Sequence, residues 1–155
     1  MATLLAIDLG LRAGLALYGD DGRLRVYRSH NFGALGRLRA GVPSILREAG
    51  DLAYLVVEGG GELLVPWERE ANRRGIRLLQ IGAETWRQAL LYDREQRSGA
   101  QAKQTADELA RRVIAWSAAR RPTSLRHDAA EAILIGLWGV IEIGWLEQVP
   151  SELRR

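Results

Sequence analysis

Cysteine is absent from the 155-residue chain, and lysine, methionine and phenylalanine occur once each. Without cysteine there are no disulfides and no thiolate metal sites, and a reducing compartment is the simpler expectation. No basic stretch leads into an apolar one at the start, so no signal peptide is expected. Long uninterrupted apolar runs are missing too. The nearest, residues 129–146, carries Glu131, Glu142 and three glycines. Charges at mid-membrane are costly, so this segment reads as a buried core helix rather than a membrane span. A cytoplasmic protein follows as the expectation. At this length the chain reads as one domain, residues 1–155, large enough to bury about two-thirds of its unfolded surface.

The net charge is +3, and it is carried almost wholly by arginine: Lys103 is the single lysine against 21 arginines. Genome composition or thermal adaptation would produce such a bias. The bidentate fork of arginine also suits phosphate contacts.

Within Thr3–Gly10, five small or apolar positions run straight into Asp8, and Gly10 follows two residues later. The absence of polar alternation fits a strand buried on both faces. A carboxylate at the end of such a strand is expensive unless a metal or a cation compensates it, or unless it simply opens a turn. Residues 13–17 and 24–29 have strand character. The Gly19-Asp20-Asp21-Gly22 connector between them predicts a hairpin, and so a three-stranded antiparallel meander. Residues 35–49 show helical spacing, but Pro43 is expected either to break that helix or to sit in the first turn of a shorter one. Leu52–Glu58 is a second buried strand that delivers one carboxylate, followed by Gly59-Gly60-Gly61. A short helix over 66–74, a strand over 76–81 and a short helix over 83–91 come next. Residues 94–102 are expected to form a mobile basic loop, 104–119 a helix, 127–146 a deeply packed last helix, and 147–155 a frayed tail. Crossover connections make the later strands parallel to the first. The expected fold is α/β, a mixed sheet with helices on both faces.

The last helix opens His127-Asp128-Ala129-Ala130-Glu131. Asp128 and Glu131, three apart, share a face, as do His127 and Glu131 at four. Acids in a first turn are also routine partners of the helix dipole. Asp8 and Glu58 both end buried strands that are expected neighbours, and this helix can cover the same sheet end. Four carboxylates would then converge. Two like charges about 4 Å apart repel by roughly 4 kcal/mol at an effective dielectric of about 20, so such a cluster calls for protons or cations. Oxygen-only ligands suit hard divalent ions such as Mg²⁺ or Mn²⁺. Two such ions can flank a scissile phosphate, which makes phosphodiester hydrolysis the expected chemistry.

Taken together, Ile7-Asp8-Leu9-Gly10 with Gly14, Val56-Val57-Glu58, Gly99–Lys103 and Asp128-Ala129-Ala130-Glu131-Ala132 resemble the motifs of RuvC-type Holliday junction resolvases, in the ribonuclease H-like superfamily. The resemblance runs along essentially the whole chain. It implies a ribonuclease H-like fold with a five-stranded sheet, a homodimer, and Mg²⁺-dependent symmetric nicking of four-way DNA junctions in a bacterial or phage-infected cytosol. It implies metal-binding catalytic acids at Asp8, Glu58, Asp128 and Glu131, two ions per site, no small-molecule cofactor, and Lys103 beside the scissile phosphate. Glu131 stands where the family usually has aspartate, and His127 is a further candidate ligand, N-cap or phosphate contact. Three glycines replace the aromatic wedge expected after Glu58, leaving Trp67 as either a substitute wedge or a core residue. The basic surface expected to meet DNA runs from Arg97 to Arg121, with Arg120 and Arg121 at its end; Arg97, Lys103, Arg111 and Arg112, with Arg74 extending the patch, are the expected DNA contacts. Competing readings are a nuclease acting on RNA or other branched DNA, a junction-binding protein without catalysis, and an actin-like ATPase. The last needs two such domains, and this chain holds one.

Overall fold

The structure is a computed structural model and describes residues 1–154. Strands β1 (Ala2–Asp8), β2 (Arg12–Gly19) and β3 (Leu24–Asn31) form an antiparallel meander. The turn between β2 and β3 places Gly22 at φ +77, the left-handed conformation that an Asp-Gly connector supplies without strain. Strand β4 (Asp51–Glu58) runs parallel to β1, and β5 (Arg77–Ile81) parallel to β4. The sheet order is β3-β2-β1-β4-β5, a mixed five-stranded sheet consistent with a ribonuclease H-like architecture.

Alternation along the strands divides the core in two. Leu5, Ile7, Leu15, Leu55 and Val57 face helices α1 (Leu35–Glu48) and α2 (Val65–Arg74). Leu4, Ala6, Ala16, Tyr18 and Val56 face α3 (Ala83–Leu90), α4 (Gly99–Ser117) and α5 (His127–Glu142). Helices therefore cover both faces. Asp8 and Glu58 continue the second alternation, so their side chains emerge on the α5 side.

Helix α5 is central, with eleven of its 16 residues buried. Each large aliphatic it buries contributes about 1.5–3 kcal/mol. It lies unusually close to the sheet. A Cβ on Gly14 would come within 1.9 Å of the Asp128 carbonyl oxygen, one on Gly136 within 2.2 Å of the Tyr18 ring, and one on Gly139 within 2.9 Å of Val56. The buried Tyr18 hydroxyl donates to the Ile133 carbonyl at 2.5 Å, tying the middle of the helix to β2.

Several local expectations are corrected. Pro43 neither breaks α1 nor starts it; the helix runs through it, because buried Leu38 and Val42 before the proline and Ile45 and Leu46 after it hold both halves to the sheet. The expected loop 94–102 contains a short 3-10 turn at Asp93–Glu95, and α4 already begins at Gly99, where Ser98 caps it by accepting from the Gln101 N–H at 3.0 Å. Lys103 is thus inside the helix. The last helix stops at Glu142, with Gly144 left-handed just after it. The tail is not frayed: Ser151–Arg154 forms a 3-10 turn, Leu153 is buried, and Arg154 donates to the Leu90 carbonyl at 2.6 Å. Arg155 lies outside the described residues. Trp67 is fully buried between α1, α2 and the sheet, so it is core and not a surface wedge. Among the described residues, no helix is long and apolar enough to cross a membrane.

Candidate metal centre

One row of the sheet carries the site. Ser29 pairs with Gly14, Gly14 with Asp8, Asp8 with Glu58, and Glu58 with Ile81, all at the same level. Gly14 has no side chain, and that is why the first turn of α5 can rest on this row. Glu131, one turn into α5, is thereby lowered onto Asp8. Oxygens of Asp8, Glu58 and Glu131 lie within 4.8 Å of one another. Asp8 and Glu58 are half-buried and Glu131 is buried.

Three carboxylates this close cannot all stay ionised unaided. Burial, followed by the charges of Glu131 and Glu58, pushes the Asp8 carboxyl up to about 9. The protonated Asp8 is hydrogen-bonded with Glu131 and Glu58, so the metal-free cluster holds itself together by a shared proton.

The two outer acids are held from the side. The Trp86 indole N–H donates to Glu58 Oε1 at 2.7 Å. Its neighbour Arg87 brings a guanidinium nitrogen to 3.6 Å from Glu131 Oε1. The His127 Nε2 lies 2.9 Å from the same oxygen, one helical turn away. The buried Arg87 Nε has no hydrogen-bond partner. Trp86, Arg87 and Ser29 were not singled out in the sequence. The signal was there in topology: β5 ends level with Glu58, so α3, which starts two residues later, must begin beside that carboxylate.

Of the four expected acids, the structure brings three together. Asp128 is turned toward β3, where its Oδ2 accepts from the Ser29 hydroxyl at 2.9 Å and its Oδ1 from the Ala129 N–H at 2.8 Å. The physical reason is helical geometry. Residues three apart share a face but differ by about 60° in direction, so when Glu131 points at Asp8 on β1 the shorter Asp128 points outward to Ser29 on β3. The longer stem of Glu131 is what reaches the cluster.

The expected DNA contacts are divided. Arg97 and Lys103 are exposed, and Lys103 makes no hydrogen bond or ion pair among the described residues. Arg111 is paired with Asp107 at 2.9 Å and Arg74 with Glu70 at 2.9 Å. Arg112 donates to the Leu153 carbonyl at 3.2 Å. These three already have protein partners, and among the described residues the one arginine that touches the acidic cluster is Arg87.

An all-oxygen donor set, a retained proton and a buried carboxylate together fit a hard divalent cation, and Asp8, Glu58 and Glu131 are the residues that could hold one. No protein-family model matches the chain, and no curated protein matches it either.

Proposed function

We propose that the chain is a divalent-metal-dependent phosphodiesterase that nicks four-way DNA junctions symmetrically as a homodimer in a bacterial or phage-infected cytosol. The observation that carries this reading is the convergence of Asp8, Glu58 and Glu131 at one end of the sheet. Mg²⁺, with Mn²⁺ as its substitute, is the proposed cofactor. When bound, such ions supply Lewis-acid stabilisation of a phosphate and a water of lowered pKa.

The protein's own groups prepare the site. Asp8 would release its proton to a bound cation, because proton and cation compensate the same repulsion. Trp86 fixes the rotamer of Glu58, while His127 and Arg87 fix Glu131, the outer-shell support that metal-binding carboxylates require. The partly exposed guanidinium of Arg87, beside Glu131, would meet a phosphate oxygen next to the cluster. The triad suits one ion. A second ion needs Asp128 to leave Ser29 and turn inward. Cutting opposed strands of a two-fold symmetric junction requires two such sites related by a dyad, which a C2 dimer supplies.

The test is a nicking assay on a synthetic four-way junction with Mg²⁺ and with Mn²⁺, mapping every strand. Paired nicks by the wild type, abolished in Asp8→Asn while junction binding persists, are the expected result. Cleavage of RNA or of flapped DNA without paired nicks would move the assignment to another nuclease. No cleavage together with no Mn²⁺ binding by calorimetry would overturn it.

A further inference from the structure

A second cationic site lies on the far side of Asp128 from the metal cluster. The free edge of β3 and the connection from α4 to α5 enclose a groove of about 430 Å³. Five arginines line it, Arg25, Arg28, Arg120, Arg121 and Arg126, and no carboxylate does. Arg25 is neutralised by Asp21 at 2.8 Å. The other four are exposed, and their side chains make no ion pair among the described residues. Arg120 and Arg121 end the basic stretch expected from the sequence, whereas Arg28 and Arg126 lie outside it.

Four like charges around one groove repel each other unless a polyanion fills it. Edge strands commonly carry charge to discourage pairing with another chain, and one or two arginines on β3 would serve that end. The connection from α4 to α5 supplies three more, across the groove from the edge, and edge protection does not explain those.

The groove is also in line with the cluster. Ser29 belongs both to the groove lining and to the row that carries Asp8, two strands away. At about 4.8 Å per strand that is roughly 10 Å. One nucleic-acid backbone can therefore reach both the groove and the cluster.

We propose that this groove binds the phosphodiester backbone of DNA close beside the phosphate held at the metal cluster. The placement relative to that phosphate rests on the phosphodiesterase reading; the binding does not. Arginine forks recognise phosphate oxygens bidentately and carry no base specificity, so the groove positions the duplex rather than reading it.

The experiment measures binding of a fluorescein-labelled DNA duplex by anisotropy in EDTA, over a salt series. Arg28→Ala/Arg121→Ala/Arg126→Ala is compared with Arg37→Ala/Arg39→Ala/Arg47→Ala, which removes equal charge from exposed positions on α1, and circular dichroism confirms that both fold. The groove triple should weaken binding at least about tenfold and flatten the slope of log K against log salt by about 3, one phosphate contact per arginine. The α1 triple should leave the slope unchanged. Equal slopes for the groove triple and the wild type would overturn the proposal. So would equal losses in the two triples, which would show net charge alone at work. Displacement of the duplex by a poly-glutamate peptide of matched charge, at equal concentration, would overturn it in favour of an acidic protein partner. Because EDTA removes any metal, loss of cleavage with arginine-dependent binding intact would count against the phosphodiesterase reading alone.

Discussion

Replacing Asp8 by asparagine should stabilise the metal-free protein, the opposite of what most substitutions at a half-buried, hydrogen-bonded position do. The unfolded chain releases the Asp8 proton near pH 3.8, whereas the folded chain keeps it until about pH 9. Across that window the folded state binds more protons than the unfolded state, so stability falls as pH rises. It is greatest below pH 3.8, and the loss is complete above about 9. At pH 7 the accumulated loss reaches about 4 kcal/mol, at about 1.4 kcal/mol for each pH unit. An amide at position 8 has the same shape, can hydrogen-bond to Glu58 and Glu131, and carries no such penalty. Thermal unfolding in EDTA from pH 5 to pH 9 is the assay. At pH 7 the variant should melt on the order of 10 °C higher, since 1 kcal/mol corresponds to about 2–4 °C in a domain of this size. Its melting temperature should also lose most of the downward slope seen in the wild type. A variant that melts lower, or that keeps the wild-type slope, would refute the account of a proton trapped among three carboxylates.

Other perturbations follow from the same geometry. Mn²⁺ should raise the melting temperature of the wild type, more at pH 8 than at pH 6 because protons compete for Asp8, and EDTA should reverse the gain; a pH-independent gain would place the ion elsewhere. Gly14→Ala should cost about 1–3 kcal/mol in urea unfolding and also weaken Mn²⁺ binding in calorimetry. Its Cβ meets backbone atoms of Asp128 that cannot swing aside, so the start of α5 must lift; unchanged Mn²⁺ affinity would contradict this. Trp86→Phe should lose about 1.5–3 kcal/mol from the charged hydrogen bond to Glu58, with weaker Mn²⁺ binding at the same time. A stability loss with full Mn²⁺ affinity would show that Glu58 does not need its indole partner.

Much of the fold was legible because its determinants are local. The apolar runs ending in Asp8 and Glu58, the Asp-Gly hairpin and the spacing of Leu109, Val113 and Trp116 each declare an element within a few residues. The same runs located two of the three clustered acids. What the sequence could not decide were choices made by tertiary contact. Asp128 and Glu131 share a helical face equally well in the sequence; only the seating of α5 on Gly14 and the Ser29 hydroxyl separate them. Pro43 looks like a breaker until Leu38 and Leu46 are seen packed on one core. Trp86 and Arg87 look like any amphipathic helix until β5 is found to end level with Glu58. The cationic groove joins β3 to a connection about 93 residues later, a distance along which no motif speaks.

The close seating of α5 has a consequence for how the cluster handles its own repulsion. Mutually repelling carboxylates in a pliant protein drift apart, and the stress is spent as small displacements. Here the helix is notched onto the sheet at Gly14, at Gly136 and at Gly139, and pinned at Ile133. These close approaches hold the first turn of α5, and with it Glu131, against the sheet. The repulsion is therefore not relieved by the helix drifting off the sheet. It persists as an appetite for positive charge, satisfied by a proton until something better arrives.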